Sequence, residues 1–370
     1  MSLFSHLELV EDKRSSINQH HDLADVLFLI ISAVLSGCEG WKDIEVFGHS
    51  KLPWLRQFRA FKHGIPARHS IARILKTVET DPLVLALFSW VNEQRSQSGK
   101  PITAFDGKTL RGASKKREDN LHLVSAFDCE SGLSLYQQTV ENKSNEIPAV
   151  RALLDVLDVS DAIVTLDALH CQKATLSTLI SRGADYLVQV KANQKTLYKA
   201  VASCFETAFS QEENLPEDAR VSSGHGRQEA RITYALKADK LPEEIKAKWP
   251  GLTSLVAVER HNKSGSTTKI DTHFYVTSVE PDAQILQKAI RHHWHIENQQ
   301  HWVLDVVFKE DVCQISEPIS AENMALFRRV VRNLVKQHAG RKDSIRGKCV
   351  RASFDDEFRA ELTFALVNGR

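Results

Sequence analysis

The 370-residue sequence carries almost no net charge: 48 Lys and Arg against 47 Asp and Glu leave +1 with the 16 His neutral. Taken alone, that balance argues against a uniformly basic nucleic-acid binder and against an acidic-tail protein. Paired cysteines are also missing. The six stand at Cys38, Cys129, Cys171, Cys204, Cys313 and Cys349, and the nearest two are 33 residues apart, which excludes a C-x-x-C pair and zinc-ribbon spacing. Scattered thiols of this kind read as small buried hydrophobes in a reducing cytosol. No apolar run is long enough for a bilayer. The most apolar stretch, Leu23 to Gly37, is interrupted by Asp25 and falls short of the roughly 20 residues a spanning helix needs. Glu8, Glu11 and Asp12 occupy the start without a cleavable apolar segment, so no secretory signal is read. These absences predict a soluble, cytoplasmic protein with no membrane partner.

What is present is an ordinary globular composition, 42% hydrophobic and 26% charged, enough for a sizeable core and two or more domains. The first hundred residues read as helical: Leu23 to Leu35 stopped at Gly37, a helix over Leu52–Phe61 with Pro53 in its first turn, and an amphipathic stretch from Arg68 to Val78. The last of these places Ile71, Ile74, Leu75 and Val78 on one face and Arg68, His69, Arg73 and Lys76 on the other. A helix, a Gly turn and a basic second helix suit a helix-turn-helix reader of DNA, and equally an ordinary surface helix. Residues 1–95 are therefore expected to form a helical N-terminal domain with DNA binding as its role. Gln94 to Lys100 is small and polar, the best linker in the chain.

From residue 101 strands alternate with helices. Pro101–Phe105 reads as a strand ending at Asp106-Gly107, Leu121–Phe127 and Leu133–Val140 as a hairpin, Glu146–Leu157 as a helix, and Ala162–Leu166 as a buried strand ending at Asp167. A helix over Gln172–Ile180, a strand over Tyr186–Lys191 and a helix over Gln194–Phe209 follow. The order predicts an α/β fold with a mixed sheet and helices packed on it. Residues 211–278 open with a polar, acidic stretch and then read as an inserted β-rich segment with strands at Arg231–Leu236, Leu252–Arg260 and Ile270–Val276. A long helix follows Pro281 and runs to about Val303. The catalytic domain is placed at 100–340, and residues 341–370 are read as a basic C-terminal tail or helix.

Three carboxylates stand out. Asp106 and Asp167 each follow four apolar strand residues and so lie at the sheet rim, where open α/β sheets bind ligands, although either alone reads as a turn former. On the long helix the spacing puts Leu286, Ile290, Trp294, Glu297, His301 and Leu304 on one inward stripe. A Glu on an apolar stripe is costly to bury without a partner, so Glu297 is the residue packing explains least. Three such oxygens converging at a rim suit two Mg²⁺ ions, with Mn²⁺ as a substitute, poised for in-line phosphoryl transfer. A rival reading gives His292, His293, His295 and His301 with Glu297 a transition metal, but H-H-W-H-I-E-N is not H-E-x-x-H. Trp294 and Trp302 read as core rather than as stacking platforms.

Seven motifs follow one another in order: D-G-K-T-L-R-G at 106–112, L-V-S-A-F at 123–127, K-S-N-E-I at 143–147, T-L-D-A-L-H-C-Q-K at 165–173, D-Y-L-V-Q-V-K-A-N-Q at 185–194, H-G-R-Q-E-A-R at 225–231, and the run from Arg291 to Asp311. Together, and with A-E-N-M-A-L-F-R-R from Ala321, they resemble the DDE transposases of ISAs-type bacterial insertion sequences, the group that includes the H-repeat-associated proteins. The resemblance implies an RNase H-like catalytic domain and metal-dependent DNA cleavage and strand transfer. It also implies a catalytic and metal-binding trio of Asp106, Asp167 and Glu297, and a dimer when bound to transposon ends or target DNA. Association with the nucleoid when active follows. The neighbours of Glu297 depart from the Tyr, Arg, Glu, Lys pattern of many related transposases, with Ile290, His293 and Leu304 at the other positions. Arg291 and His293 are read as phosphate contacts, as are Lys108, Arg111, Lys191, Asn193, Arg68 and Arg73. A nuclease without strand transfer and a domesticated, non-catalytic DNA-binding protein are the alternatives. Two basic stretches, Lys100–Arg117 and Arg328–Arg351, with nine basic residues against Asp343 alone in the second, are read as DNA-facing.

Overall fold

The computed structural model describes residues 3–93, 100–112, 121–140, 146–224, 227–264 and 267–364. The linker expected at 94–100 falls almost wholly outside them, as do Lys115, Lys116 and Arg117 of the first basic stretch.

The N-terminal part is helical: α1 (Leu3–Leu7), α2 (Leu23–Leu35), α3 (Trp41–Leu55), α4 (Arg68–Lys76) and α5 (Thr80–Glu93). Asp22 caps α2 by accepting from the Asp25 N–H at 3.0 Å, and every residue of the helix is buried. Asp25, the one charge in the apolar run, is paid for inside the fold: it accepts from Arg59 Nε at 2.9 Å and from the Phe61 N–H at 2.8 Å. The expected helix at 52–61 instead starts at Trp41. Asp43 accepts from the Gly40 N–H at 3.2 Å and fixes that earlier start, so Pro53 sits in the last turn. On α4 the apolar residues are buried, and Arg68, His69, Arg73 and Lys76 are exposed.

This helical part has no core of its own. Its apolar residues are continuous with those of α12 (Pro318–Gln337), α13 (Ile345–Phe354) and α14 (Asp356–Phe364) at the other end of the sequence. The stretch from 341 is thus no free tail through residue 364: Phe358 and Leu362 are buried against α2 and its neighbours.

The middle of the chain is one nine-stranded mixed sheet in the order β3-β2-β1-β4-β5-β9-β8-β7-β6. The strands are β1 (Ile102–Leu110), β2 (Leu121–Asp128), β3 (Leu133–Val140), β4 (Ile163–Leu166), β5 (Asp185–Val190), β6 (Glu217–Gly224), β7 (Arg227–Lys237), β8 (Ser254–Ser264) and β9 (Thr267–Thr277). β1, β4 and β5 are parallel neighbours; the hairpin β2–β3 and the strands β9 to β6 run antiparallel. The inserted segment therefore extends the sheet from β5 outward. β6 occupies part of the polar stretch where no strand was expected; an edge strand written E-D-A-R-V-S-S-G has no apolar alternation to betray it.

Helices α6 (Glu146–Val156), α7 (Lys173–Ser181) and α8 (Lys195–Ser210) cover one face over the core around Phe105, Val164 and Val188. A short helix, α9 (Glu243–Lys246), precedes β8. The other face takes α10 (Ala283–His295), whose Leu286, Ala289 and Ile290 pack on Ile102 and Ala104. After α10 the helix widens into a π turn over Ile296–His301 and resumes as α11 (Trp302–Val306). Of the expected stripe Leu286, Ile290 and Leu304 are buried, but the widening breaks it at Glu297. One extra residue per turn shifts the phase, so Ile296 and Gln300 turn inward and Glu297 is exposed. Trp294 and Trp302, expected in the core, are 43% and 58% exposed.

Candidate active site

β1 does not stop at Asp106. On one side its antiparallel pairing with β2 continues to Leu110, whereas on the other its parallel pairing with β4 ends at Ala104↔Thr165. Asp106 therefore stands two residues past the last pair on one strand, and Asp167 two residues past it on the other. Asp167 caps a short 3₁₀ turn at 168–170 by accepting from the Leu169 N–H at 3.0 Å, with its side chain half exposed. The π turn brings Glu297 to the same rim. Burial, Glu297 and Asp167 together push the Asp106 carboxyl up to about 7, against a smaller lowering by the Gly107 N–H. Burial also raises Glu297. His301 Nδ1 lies 3.5 Å from Asp106 Oδ2, but burial, Arg329 and Lys108 push this imidazole down to about 3, so it brings no charge. Among the described residues no Lys or Arg lies within ion-pair distance of Asp106, Asp167 or Glu297. Asp106 thus sits among hard oxygen donors whose charges raise it, the chemistry a divalent cation satisfies. Among the described residues no trio of His, Cys, Asp or Glu is already gathered at ligand distance, neither the three carboxylates nor the histidines near Glu297.

A second layer lies beneath β1. Glu146, at the start of α6, is buried with His122 Nε2 at 2.6 Å and His170 Nε2 at 3.6 Å; His170 in turn lies 3.9 Å from Asp167 Oδ1. Burial would raise Glu146, but the two imidazoles outweigh it and hold the carboxyl at about 2. Thr109 Oγ1 and His122 Nδ1 are 2.8 Å apart and complete the chain. Sequence reasoning missed Glu146, His122 and His170. Glu146 and His170 were signalled only by the K-S-N-E-I and L-D-A-L-H motifs, and His122 lay in no motif; an acidic residue opening a helix reads as dipole complement. The layer passes under Gly107 because that residue has no side chain: a Cβ there would stand 2.7 Å from His122 Nε2 and 2.8 Å from Glu146 Cδ. Gly107→Ala is expected to cost about 1–3 kcal/mol in denaturant melts through this overpacking; an unchanged midpoint would show that the layer yields freely.

The sequence-predicted DNA contacts fall into three groups. Lys191 and Arg291 are exposed; Arg291 lines a 650 Å³ groove between α10 and the β6–β7 hairpin together with Arg220, Arg231 and Lys288. Arg111, Arg68 and Arg73 are exposed as well. Asn193 and His293 both have partners within the fold: Asn193, itself exposed, donates from Nδ2 to the Ala168 carbonyl at 2.6 Å, in the turn after Asp167, and His293 Nδ1 lies 3.0 Å from Thr165 Oγ1. Burial takes His293 down to about 4, so it meets β4 as a neutral ring rather than a phosphate as a cation. Lys108 is the clearest correction. It is buried and paired with Asp305, and with Glu310 at 3.1 Å, so its charge is spent within the fold. The second basic stretch is corrected in part: Arg328, Arg329, Arg332 and Lys348 are buried, whereas Lys336, Arg341, Lys342 and Arg346 are exposed.

The chain is similar to known proteins. Residues 97–334 match the family described as "Transposase DDE domain", and residues 4–91 match its companion, described as "DDE_Tnp_1-associated". The chain belongs to the DDE transposases, in their ISAs-type, H-repeat-associated group, and its mixed sheet is the RNase H-like catalytic fold of that family; it is an insertion-sequence transposase, a polynucleotidyl transferase or endonuclease in class, with DNA as its partner. Among curated relatives it is 35% identical over 370 residues to the H-repeat-associated protein YhhI of Escherichia coli (strain K12), covering 97% of each chain. It is 33% identical to YncI of Escherichia coli O157:H7 over 94% of this chain and 90% of that one. The inactive transposase YbfQ of Escherichia coli (strain K12) is 44% identical over 73 residues, 20% of this chain and 87% of that one. A solved piggyBac transposase synaptic complex with hairpin DNA aligns over 98% of this chain and 77% of that one, at 9% identity and a TM-score of 0.42. The family uses divalent metal ions. Among the described residues no helix is long and apolar enough to cross a membrane.

Proposed function

We propose that the chain cleaves phosphodiester bonds at the ends of its insertion sequence and joins the freed 3′ ends to target DNA, with Asp106, Asp167 and Glu297 as the catalytic, metal-holding residues. The observation that carries this reading is the Asp106 carboxyl held at about 7 by burial and by the two other carboxylates, with no Lys or Arg at ion-pair distance among the described residues. Two Mg²⁺ ions, or Mn²⁺ in their place, would make a water or a 3′-hydroxyl nucleophilic and stabilise the leaving oxygen when bound there. The protein's own contribution is to place the three carboxylates, from two strands and a helix, on one rim, and to keep the His301 ring beside Asp106 neutral. Exposed Arg291 and Lys191 would meet flanking phosphates, with Arg111 also at the surface, and the outward face of α4, with Arg68 and Arg73, would meet duplex DNA. Binding of two transposon ends calls for a dimer on DNA, acting at the nucleoid.

The test supplies pre-cut transposon ends, a supercoiled target plasmid and Mg²⁺. Joined molecules are expected with the wild type and none with Glu297→Gln, which still shifts the end DNA in a gel. Hydrolysis products without joining would make it a nuclease. Binding alone, unchanged by Glu297→Gln, would make it a non-catalytic DNA-binding protein.

A further inference from the structure

Two features of the Glu297 segment have no explanation in packing alone. The first is the π turn itself. A switch from i→i+4 to i→i+5 pairing costs hydrogen-bond quality and survives where surrounding structure enforces it. The second is Arg332 on α12, fully buried with no carboxylate at ion-pair distance among the described residues. A guanidinium without a counter-ion is among the most expensive groups to bury. Burial and the nearby Arg329 lower it to about 9.

The two features meet. Arg332 Nε donates to the Gln299 carbonyl, inside the π turn, at 2.9 Å. Its Nη1 donates to the Gly132 carbonyl at 2.8 Å, in the turn between β2 and β3, and to Asn333 Oδ1 at 3.2 Å. The planar fork thus ties the widened turn to the sheet through two backbone acceptors, a geometry that an ammonium on a flexible stem does not reproduce. On the next residue Ser134 Oγ donates to Gln300 Oε1 at 2.5 Å, and Phe127 lies under the guanidinium with its ring centroid 5.2 Å away. The partners of Gln299 and Gln300 here, Arg332 and Ser134, are buried, while Glu297, two residues earlier, is exposed.

We infer that Arg332 is a positioning residue whose bond to the Gln299 carbonyl holds the π turn open and so sets where Glu297 stands relative to Asp106 and Asp167. Without it the segment relaxes toward a regular helix, and the phase shift that turned Glu297 outward is undone. The inference rests on Glu297 belonging to the reacting site, but its structural half does not.

Hydrogen exchange on the metal-free, full-length protein tests that half. In Arg332→Lys, amides of residues 296–302 are expected to exchange about tenfold faster, with the first half of α10 and the body of α12 unchanged. The Mn²⁺ concentration needed for half-maximal binding, read from water-proton relaxation, is expected to rise about tenfold, as for outer-shell partners of metal ligands generally. Wild-type exchange over 296–302 together with a wild-type Mn²⁺ midpoint would overturn the inference. So would exchange that rises evenly through the whole molecule. Should Arg332→Lys not fold, Arg332→Gln and Arg332→Met supply the comparison: both remove the buried charge, but only Gln keeps a donor. Faster exchange at 296–302 in the Met variant than in the Gln variant supports the role; equal exchange overturns it. Full cleavage by Glu297→Gln would refute the reading of the active site and leave the exchange result standing.

Discussion

Asp106→Asn is expected to lower cleavage of labelled transposon-end DNA by about 10³-fold or more and, at the same time, to raise the melting temperature of the metal-free protein. Both follow from one fact. The Asp106 carboxyl is pushed from its ordinary 3.8 to about 7 by burial and by Glu297 and Asp167. A carboxyl raised in the folded state binds a proton there that the unfolded chain has already released. The native protein therefore loses stability as pH rises from about 4 to about 7 and is flat beyond. The full span corresponds to at most roughly 4 kcal/mol. Asn, uncharged and of the same shape, escapes the repulsion, so the variant's stability should not fall with pH through that window. Mg²⁺ should raise the wild-type melting temperature at pH 8 far more than that of the variant, because the ion relieves a repulsion the variant lacks. Scanning calorimetry at pH 5 and pH 8, with and without Mg²⁺, reads all of this. A variant that cleaves normally, or a wild type equally stable at both pH values without metal, would remove Asp106 from the site.

The two aspartates were legible because each follows a short apolar run, and a strand leaving the core must expose its next residue somewhere. That β1 runs on to Leu110 was hidden, since its continuation is set by pairing with β2 and not by its own sequence. Glu297 was singled out by a flawed route. Helical periodicity put it on a buried stripe, and what singled it out was the misfit; a π turn resolves the misfit, and no periodicity announces one. The Glu146–His122–His170 layer stayed invisible because its members lie on α6, β2 and the loop after β4 and meet only under Gly107. The second basic stretch misled for a related reason. Counting charges assumes that charge lies at the surface, whereas Arg329 and Arg332 of that stretch are among the largest fully buried side chains. What the count could not see is a set of partners more than a hundred residues away, such as Lys108 for Glu310.

That buried set makes the second large prediction. Glu310→Gln is expected to destabilise the protein by about 3–5 kcal/mol at pH 7 while keeping side-chain volume. Glu310 is fully buried and accepts from Arg329 Nη1 at 2.8 Å and from Lys108 Nζ at 3.1 Å. Burial would raise its carboxyl, but Arg329 and Lys108 outweigh burial and hold it at about 2, below the ordinary 4.5. A carboxyl lowered in the folded state stabilises above its unfolded value and loses that contribution as pH falls from about 4.5 to about 2. The difference between wild type and variant in urea melts should therefore shrink steadily over that range. Lys108 retains Asp305 in the variant, so the stranded cation is Arg329. Arg329→Met added to Glu310→Gln should then recover part of the loss, giving a coupling of opposite sign to the single changes. Position gives the network a consequence for catalysis. Lys108 is two residues beyond Asp106 on β1 and shares its face of the sheet, while Arg329 lies one turn of α12 before Asn333 and the Ser134 contacts beneath the π turn. Glu310→Gln should accordingly weaken Mg²⁺-dependent cleavage at temperatures well below its melting transition. A variant within 1 kcal/mol of the wild type, with the same difference at pH 7 and pH 3, would mean that the two cations find other partners in the fold.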